Sequence, residues 1–304
     1  MTAAPGSLAL APTGDPVHPD APSPAGGAAH WYPAEGLRHR GTLVLLPGRG
    51  EHPGVYERFG RRLAGDAYVV HVLPAEPGRE PAEVAASVDT LAADATAPLV
   101  LAGSDTGALL ALAASIRTLA APAALLLAGV PRLSAPEPGT GSGAAAGPVT
   151  GSAIGATSGS GAGAGPEDDG QWPSGADELA ARTACPAHRG RLLADPLFAP
   201  GALAVPVPAA LAAAAEAALA VLPDLPVLLL HGAADPVTPL PSARALAALL
   251  PASTTFATVI DGLHDTLNDI NHRTVAALTT QWLERLRSPA GPGPIVTVEG
   301  VPVP

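Results

Sequence analysis

The stretch Leu99-Val100-Leu101-Ala102-Gly103-Ser104-Asp105-Thr106-Gly107-Ala108 constrains this chain most. An unbroken apolar run has the length of a buried strand, stops at a glycine, and gives way at once to an Ala/Leu-rich helical run. The chain must turn from strand to helix within a few residues, with Asp105 at the centre of a Gly-x-Asp-x-Gly turn framed by Gly103 and Gly107. Similar apolar runs at 41–46, 68–73 and 123–130 alternate with helical patterns at 53–64 and 81–93. In the first of these helices Val55, Phe59 and Leu63 recur every four residues on one face. Strand–helix alternation of this kind predicts an α/β fold, a mostly parallel sheet with helices on both faces.

The alternation stops after residue 130. Residues 134–170 are nearly all Gly, Ala, Ser, Pro and Thr and lack an apolar face, so they are expected to be a flexible insertion. Residues 171–205 regain ordinary composition and read as a small helical cap, making 131–205 a cap insertion. The core then resumes, so that it comprises 28–130 and 206–287, with a helix over 209–222, strands at 226–230 and 254–260, and helices over 242–250 and 271–286. Residues 1–27 are expected to form a disordered lead-in and 288–304 a loose tail.

Composition narrows the function classes. The chain has 304 residues and a net charge of −11; all sixteen of its basic residues are arginine. The sequence shows no basic cluster and few aromatics, which argues against nucleic acid as a partner. No apolar run reaches the ~18 residues of a membrane-spanning helix, and the N-terminus lacks the charged and apolar regions of a signal peptide. A cytoplasmic protein without stable membrane insertion, acting on a small-molecule substrate, is expected. Cys185 is the single cysteine, so an intrachain disulfide is excluded. Cys185-x-x-His188 lacks the second pair that a metal site needs. No metal or cofactor is expected.

Three expected strand ends carry polar side chains in the order Asp105, Asp235, His264. Catalysts in open α/β sheets gather at the carboxyl ends of strands. A histidine between a reacting centre and a carboxylate gains both its tautomer and its orientation from that carboxylate.

The chain resembles the α/β-hydrolase fold, and within it the monoacylglycerol lipase / lysophospholipase-like group of serine aminopeptidase S33 type. The resemblance rests on Pro47-Gly48-Arg49-Gly50-Glu51-His52, Gly103-Ser104-Asp105-Thr106-Gly107, His231-Gly232-Ala233-Ala234-Asp235 and His264-Asp265. It covers 41–130 and 224–287. It implies Asp235 as triad acid, His264 as general base, and the backbone N–H groups of Arg49 and Thr106 as an oxyanion hole. Gly103 and Gly107 then relieve crowding at the elbow. Ester or acyl-lipid substrates are implied. This sequence departs from the group in Pro47 and Ser104, each standing for a histidine, and in Asp105, which stands where the nucleophilic serine would be.

Several readings of Asp105 remain open on the residues alone. A carboxylate is a competent nucleophile at saturated carbon, as in opening an epoxide or haloalkane. Against that branch, the elbow is Asp-Thr-Gly rather than Asp-Trp-Gly, and the tyrosines, Tyr32, Tyr56 and Tyr68, all precede the elbow. Asp105 could also position water, cap the following helix, or mark a non-catalytic binding protein. Ser104 as nucleophile would require a side chain that alternation points away from His264. His52, His71 and His231 read as structural hydrogen-bonding groups. Arg182, Arg189 and Arg191 read as a solvated cap surface, with binding of a substrate carboxylate or phosphate as the competing role.

Overall fold

The computed structural model describes residues 27–74, 76, 78–133 and 177–288. Seven strands form one sheet: β1 (Ala29–Trp31), β2 (Gly41–Leu46), β3 (Tyr68–Val72), β4 (Leu99–Ser104), β5 (Ala124–Ala128), β6 (Val227–Gly232) and β7 (Thr254–Val259). Their spatial order is β1-β3-β2-β4-β5-β6-β7. Only β1 runs antiparallel, pairing Trp31 with Val70; the other neighbours are parallel.

The helices are α1 (Glu57–Gly65), α2 (Pro81–Ala92), α3 (Thr106–Ser115), α4 (Glu178–Arg182), α5 (Pro186–Ala194), α6 (Ala209–Val221), α7 (Leu240–Leu249) and α8 (His272–Arg287). The expected helix over 53–64 divides in two. Residues Pro53–Tyr56 form a 3-10 turn before α1, because the His52 ring nitrogen accepts the Gly54 N–H and pulls the first turn tight. Strand β6 runs two residues beyond the expected 226–230 and takes in His231 and Gly232, which pair with Thr258 and Val259.

Alternation along the strands divides the core into two layers. Leu43, Leu45, Val100, Ala102 and Leu126 pack on the side that holds Phe59 and Leu63 of α1 and Trp282 and Leu283 of α8. Val44, Leu46, Leu101, Leu125 and Leu127 pack on the other side with Val84 and Val88 of α2 and Leu109 and Leu112 of α3. Central-strand leucines such as Leu43, Leu45, Leu101 and Leu125 are completely buried, each contributing ~1.5–3 kcal/mol over exposure. Continuous apolar strands are what a parallel sheet covered on both faces requires.

Between β5 and β6 the described part of the insertion comprises α4, α5 and a short 3-10 turn (Ala202–Ala204). The segment expected to be flexible, 134–170, lies outside the described residues, as do most of the expected lead-in and tail. Among the described residues no helix is long and apolar enough to cross a membrane.

Candidate active site

The turn after β4 brings two backbones almost into contact. A Cβ on Gly103 would stand 2.1 Å from the Gly107 carbonyl oxygen, and one on Gly107 would stand 2.2 Å from that of Leu46. Only glycine fits at both positions. Asp105 between them adopts φ 50° and ψ −125°, a left-handed conformation that costs a non-glycine residue ~1–3 kcal/mol. The turn is held by the Asp105 N–H on Ala128 O at 2.9 Å and the Ala108 N–H on Asp105 O at 2.9 Å. The Asp105 side chain makes no capping bond to α3, so it does not serve as a helix cap.

The carboxylate turns instead toward the loop after β2. Its Oδ2 accepts the main-chain N–H of Arg49 and the Arg49 Nε, both at 2.8 Å, and its Oδ1 accepts Arg49 Nη2 at 2.8 Å. Arg49 Nη1 meanwhile donates to the carbonyls of Val205 at 2.8 Å and Leu203 at 3.2 Å, joining the turn to the end of the cap. Thus one of the two amides expected to form an oxyanion hole is occupied by Asp105's own oxygen. Thr106, the other, opens α3, where the first N–H groups of a helix have no partner within it.

His264 and Asp235 complete a line of charged groups. Asp235 sits after β6, where its Oδ1 accepts the N–H groups of Val237 at 2.8 Å and Thr238 at 3.2 Å. Its Oδ2 meets His264 Nδ1 at 2.9 Å. His264 Nε2 lies 3.4 Å from Asp105 Oδ1, an ion-pair distance whose geometry falls short of a hydrogen bond. The three residues expected from the strand ends are therefore adjacent, and all are buried; Asp105 and His264 are each 1% exposed.

These contacts set the charge states. Burial would push the Asp105 carboxyl up, but the Arg49 guanidinium and His264 outweigh it and hold it well below the usual carboxylate range. Burial would lower the pKa of His264, but Asp235 on one ring nitrogen and Asp105 near the other push it up to about 10. At neutral pH the Asp105 carboxylate therefore lies between the Arg49 guanidinium and a His264 imidazolium.

The three histidines expected to be structural, His231, His52 and His71, each have a hydrogen-bond partner. His231 Nε2 meets Thr238 O at 2.8 Å, His52 Nε2 meets Asp195 Oδ2 at 2.6 Å, and His71 meets the His30 ring at 2.6 Å. Ser104 lies beside the Tyr56 hydroxyl. Cys185 and His188 face different partners: Cys185 Sγ accepts Arg58 Nη1 at 3.5 Å, and His188 Nε2 lies 3.5 Å from Asp265 Oδ2.

Two expectations require correction. Arg182 is not part of a solvated cap surface. It is completely buried, with its guanidinium 2.8 Å from Glu178, 3.4 Å from Asp265 and 2.5 Å from Arg49 O, and 5.3 Å over the Phe198 ring. The helix that carries it also braces the His264 loop: His264 N–H donates to Ala181 O at 3.3 Å and Asp265 N–H to Arg182 O at 2.8 Å. Asp269 accepts Thr183 Oγ1 at 2.8 Å and Ala184 N–H at 2.7 Å. Second, the sequence shows no basic cluster, yet folding builds one, because Arg58, Arg61 and Arg62 of α1 meet Arg273 of α8 around a cleft.

The family model described as "Serine aminopeptidase, S33" matches residues 82–271, a span holding Asp105, Asp235 and His264. The chain belongs to this family. Among solved structures, this S33 α/β-hydrolase is similar to a monoacylglycerol lipase from Paleococcus ferrophilus at 18% identity, with a TM-score of 0.58, over 84% of this chain and 97% of that one. A soluble variant of monoglyceride lipase from Saccharomyces cerevisiae in complex with a substrate analog is 15% identical, with a TM-score of 0.59, over 85% of this chain and 91% of that one. An esterase domain from a Rhodothermus marinus protein is 14% identical, with a TM-score of 0.53, over 85% and 92%. These likenesses carry the fold of this S33 member. Among curated proteins none matches the chain.

Proposed function

We propose that this S33-family chain is a hydrolase whose attacking group is the Asp105 carboxylate, and that its substrate offers an electrophilic saturated carbon. The observation that carries this reading is the division of labour between the two carboxylate oxygens. Oδ2 is seated on the Arg49 N–H, while Oδ1 lies on the side of His264. A serine nucleophile needs a neutral histidine to take its proton, whereas His264 is already protonated at neutral pH. An ionised carboxylate needs no base for its attack.

In the first step Oδ1 bonds to carbon and the leaving group departs with its electron pair, giving an alkyl ester of Asp105. For this the guanidinium of Arg49 must release Oδ1. Esterification removes the Asp105 charge, one of the causes that hold a proton on His264. His264 then sheds that proton to solvent. In the second step its Nε2 takes a proton from water as the water oxygen adds to Asp105 Cγ. The oxyanion forms on Oδ2, against the Arg49 N–H, with Thr106 as the second donor. Collapse passes the proton from His264 to the departing alcohol and leaves Asp105 as the acid, which gives the remaining water-derived proton to His264 and so restores the carboxylate and the imidazolium.

An acyl ester substrate, as the monoacylglycerol lipase resemblance implies, would give a mixed anhydride with Asp105 and is the less favourable chemistry. A second reading is a non-catalytic binding protein. It is favoured by the near-complete burial of Asp105 and His264 and by Arg49 occupying both carboxylate oxygens.

Heavy-oxygen water separates the readings. The protein is incubated in it with haloalkanes, epoxides, aryl esters and monoacylglycerols, then digested with trypsin. Heavy oxygen in the peptide spanning 80–117, placed on Asp105 by fragmentation, is the expected result with a haloalkane or epoxide. Product without label removes Asp105 as nucleophile. Neither product nor label across the panel favours the binding reading.

A further inference from the structure

Four of the sixteen arginines in this acidic chain line a single cleft of about 520 Å³ that the active-site reading does not use. Arg58, Arg61 and Arg62 come from α1 and Arg273 from α8, with Phe59, Leu267, His272 and Ala276 completing the wall. No carboxylate is among the lining residues. Like charges gathered in this way repel one another, and a fold tolerates them when something of opposite sign is held between them.

Of the four, Arg58, Arg62 and Arg273 are only partly spoken for. Glu57 accepts Arg61 Nε at 2.9 Å and is shared with Arg191 at 2.5 Å. Asp66 takes Arg62 Nε at 3.2 Å and is shared with Thr280. Arg58 donates to Cys185 Sγ and Asn268 O, while its Nε has no hydrogen-bond partner. Arg273 makes no hydrogen bond or ion pair among the described residues, and it is exposed.

The start of α8 points the same way. His272 and Arg273 open a helix of 16 residues with no acidic side chain in the first turn and no side-chain cap from Asn271. Basic residues at the positive end of a helix dipole are unfavourable, whereas a bound anion there is favourable. An arginine fork matches phosphate oxygens two at a time. Arg62 and Arg273, one from each helix, offer two guanidinium groups, one for each phosphate of a diphosphate, and the volume falls within the range of ligand pockets.

We propose that this cleft binds a soluble small molecule bearing a diphosphate. The phosphates lie between Arg62 and Arg273 at the amino end of α8, and the apolar part rests toward Leu267 and Ala276. This does not depend on the role given to Asp105.

Inorganic pyrophosphate is the probe, titrated calorimetrically into the full-length protein at low and physiological salt. A saturable one-to-one isotherm is expected, weakening as salt rises. Arg62→Ala and Arg273→Ala, both at exposed positions, should each weaken it by about tenfold, the loss of one charge-assisted pair. Arg244→Ala, on α7, should leave it unchanged. Absence of saturable binding at millimolar pyrophosphate overturns the proposal, as does binding that neither Arg62→Ala nor Arg273→Ala weakens. Co-sedimentation with phosphatidic acid vesicles, lost in Arg273→Ala while free pyrophosphate fails to bind, would overturn the soluble ligand in favour of a lipid headgroup.

Discussion

Arg49 grips both oxygens of Asp105, with Nε on Oδ2 and Nη2 on Oδ1 at 2.8 Å each, and its own main-chain N–H adds a third bond to Oδ2. One residue thus supplies both an expected oxyanion-hole amide and the side chain that covers the group beside it. Removing one member of a buried ion pair leaves the other charge without compensation. Arg49→Ala is therefore expected to lower stability by ~3 kcal/mol, read as a shift of the urea midpoint at constant slope. A double-mutant cycle with Asp105→Asn should return much of that loss, because the two substitutions remove the same pair. Additivity of the two would show that the grip contributes little.

Replacing Asp105 by serine restores the residue type that the resemblance implies at the elbow. His264 then keeps Asp235 and loses the second carboxylate, so its pKa should fall toward the ordinary histidine range. Asp105→Ser is expected to hydrolyse p-nitrophenyl acetate ~10²-fold or more above Asp105→Ala, the scale of general-base assistance. Equal rates for the two variants would mean that His264 and Asp235 cannot serve a serine in this frame.

The protonation of His264 gives the stability a definite pH dependence. Its folded pKa, about 10, lies above the unfolded value near 6.5. Its contribution is thus complete below about 6.5 and declines as pH rises through about 10. Asp105 has the opposite sign: its folded pKa is depressed, so its contribution is present above the ordinary carboxylate range and is lost as pH falls below it. The stability difference between the wild type and His264→Gln should therefore be largest on the acid side of 6.5, while Asp105 remains ionised, and should shrink steadily toward pH 10. Nitrogen-15 shifts of the imidazole ring report the charge directly, and a midpoint near 6.5 would refute it.

Arg182 is expected to hold the cap to the histidine loop. Arg182→Met keeps much of the side-chain volume over Phe198 but leaves Asp265 and Glu178 without their guanidinium. We expect a loss of ~3–5 kcal/mol and faster proteolysis within 177–205 than within the sheet. Unchanged cleavage would place the cap's attachment elsewhere, in the bonds from the Thr183 hydroxyl and the Ala184 N–H to the Asp269 carboxylate.

The order of strands and helices was legible because apolar periodicity records which faces are buried. The meeting of Asp105, Asp235 and His264 was legible because all three follow parallel strands and so share one edge of the sheet. The side chains of Arg49 and Arg182 were not legible. Arg49 lies in a loop, where no periodicity fixes its direction, and its partner Asp105 is far along the chain; Arg182 has Glu178 on its own helix, but Asp265 and the Arg49 carbonyl, which bury it, are likewise distant in sequence. The sequence reading assigned Arg49 by its amide alone and Arg182 by its charge. The arginine cleft was hidden for a related reason: α1 and α8 are more than 200 residues apart, and their packing decides which charges become neighbours.

The bonds from Ala181, Arg182, Thr183 and Ala184 to the loop carrying His264 make the cap a buttress rather than a door. Swinging it aside would drag the imidazole from its place between two carboxylates, so admitting a molecule by that route would dismantle the apparatus meant to act on it. At its other end the cap is tied to the site by a side chain alone: Arg49 bridges Asp105 to the carbonyls of Leu203 and Val205, bonds that can part without moving the histidine loop.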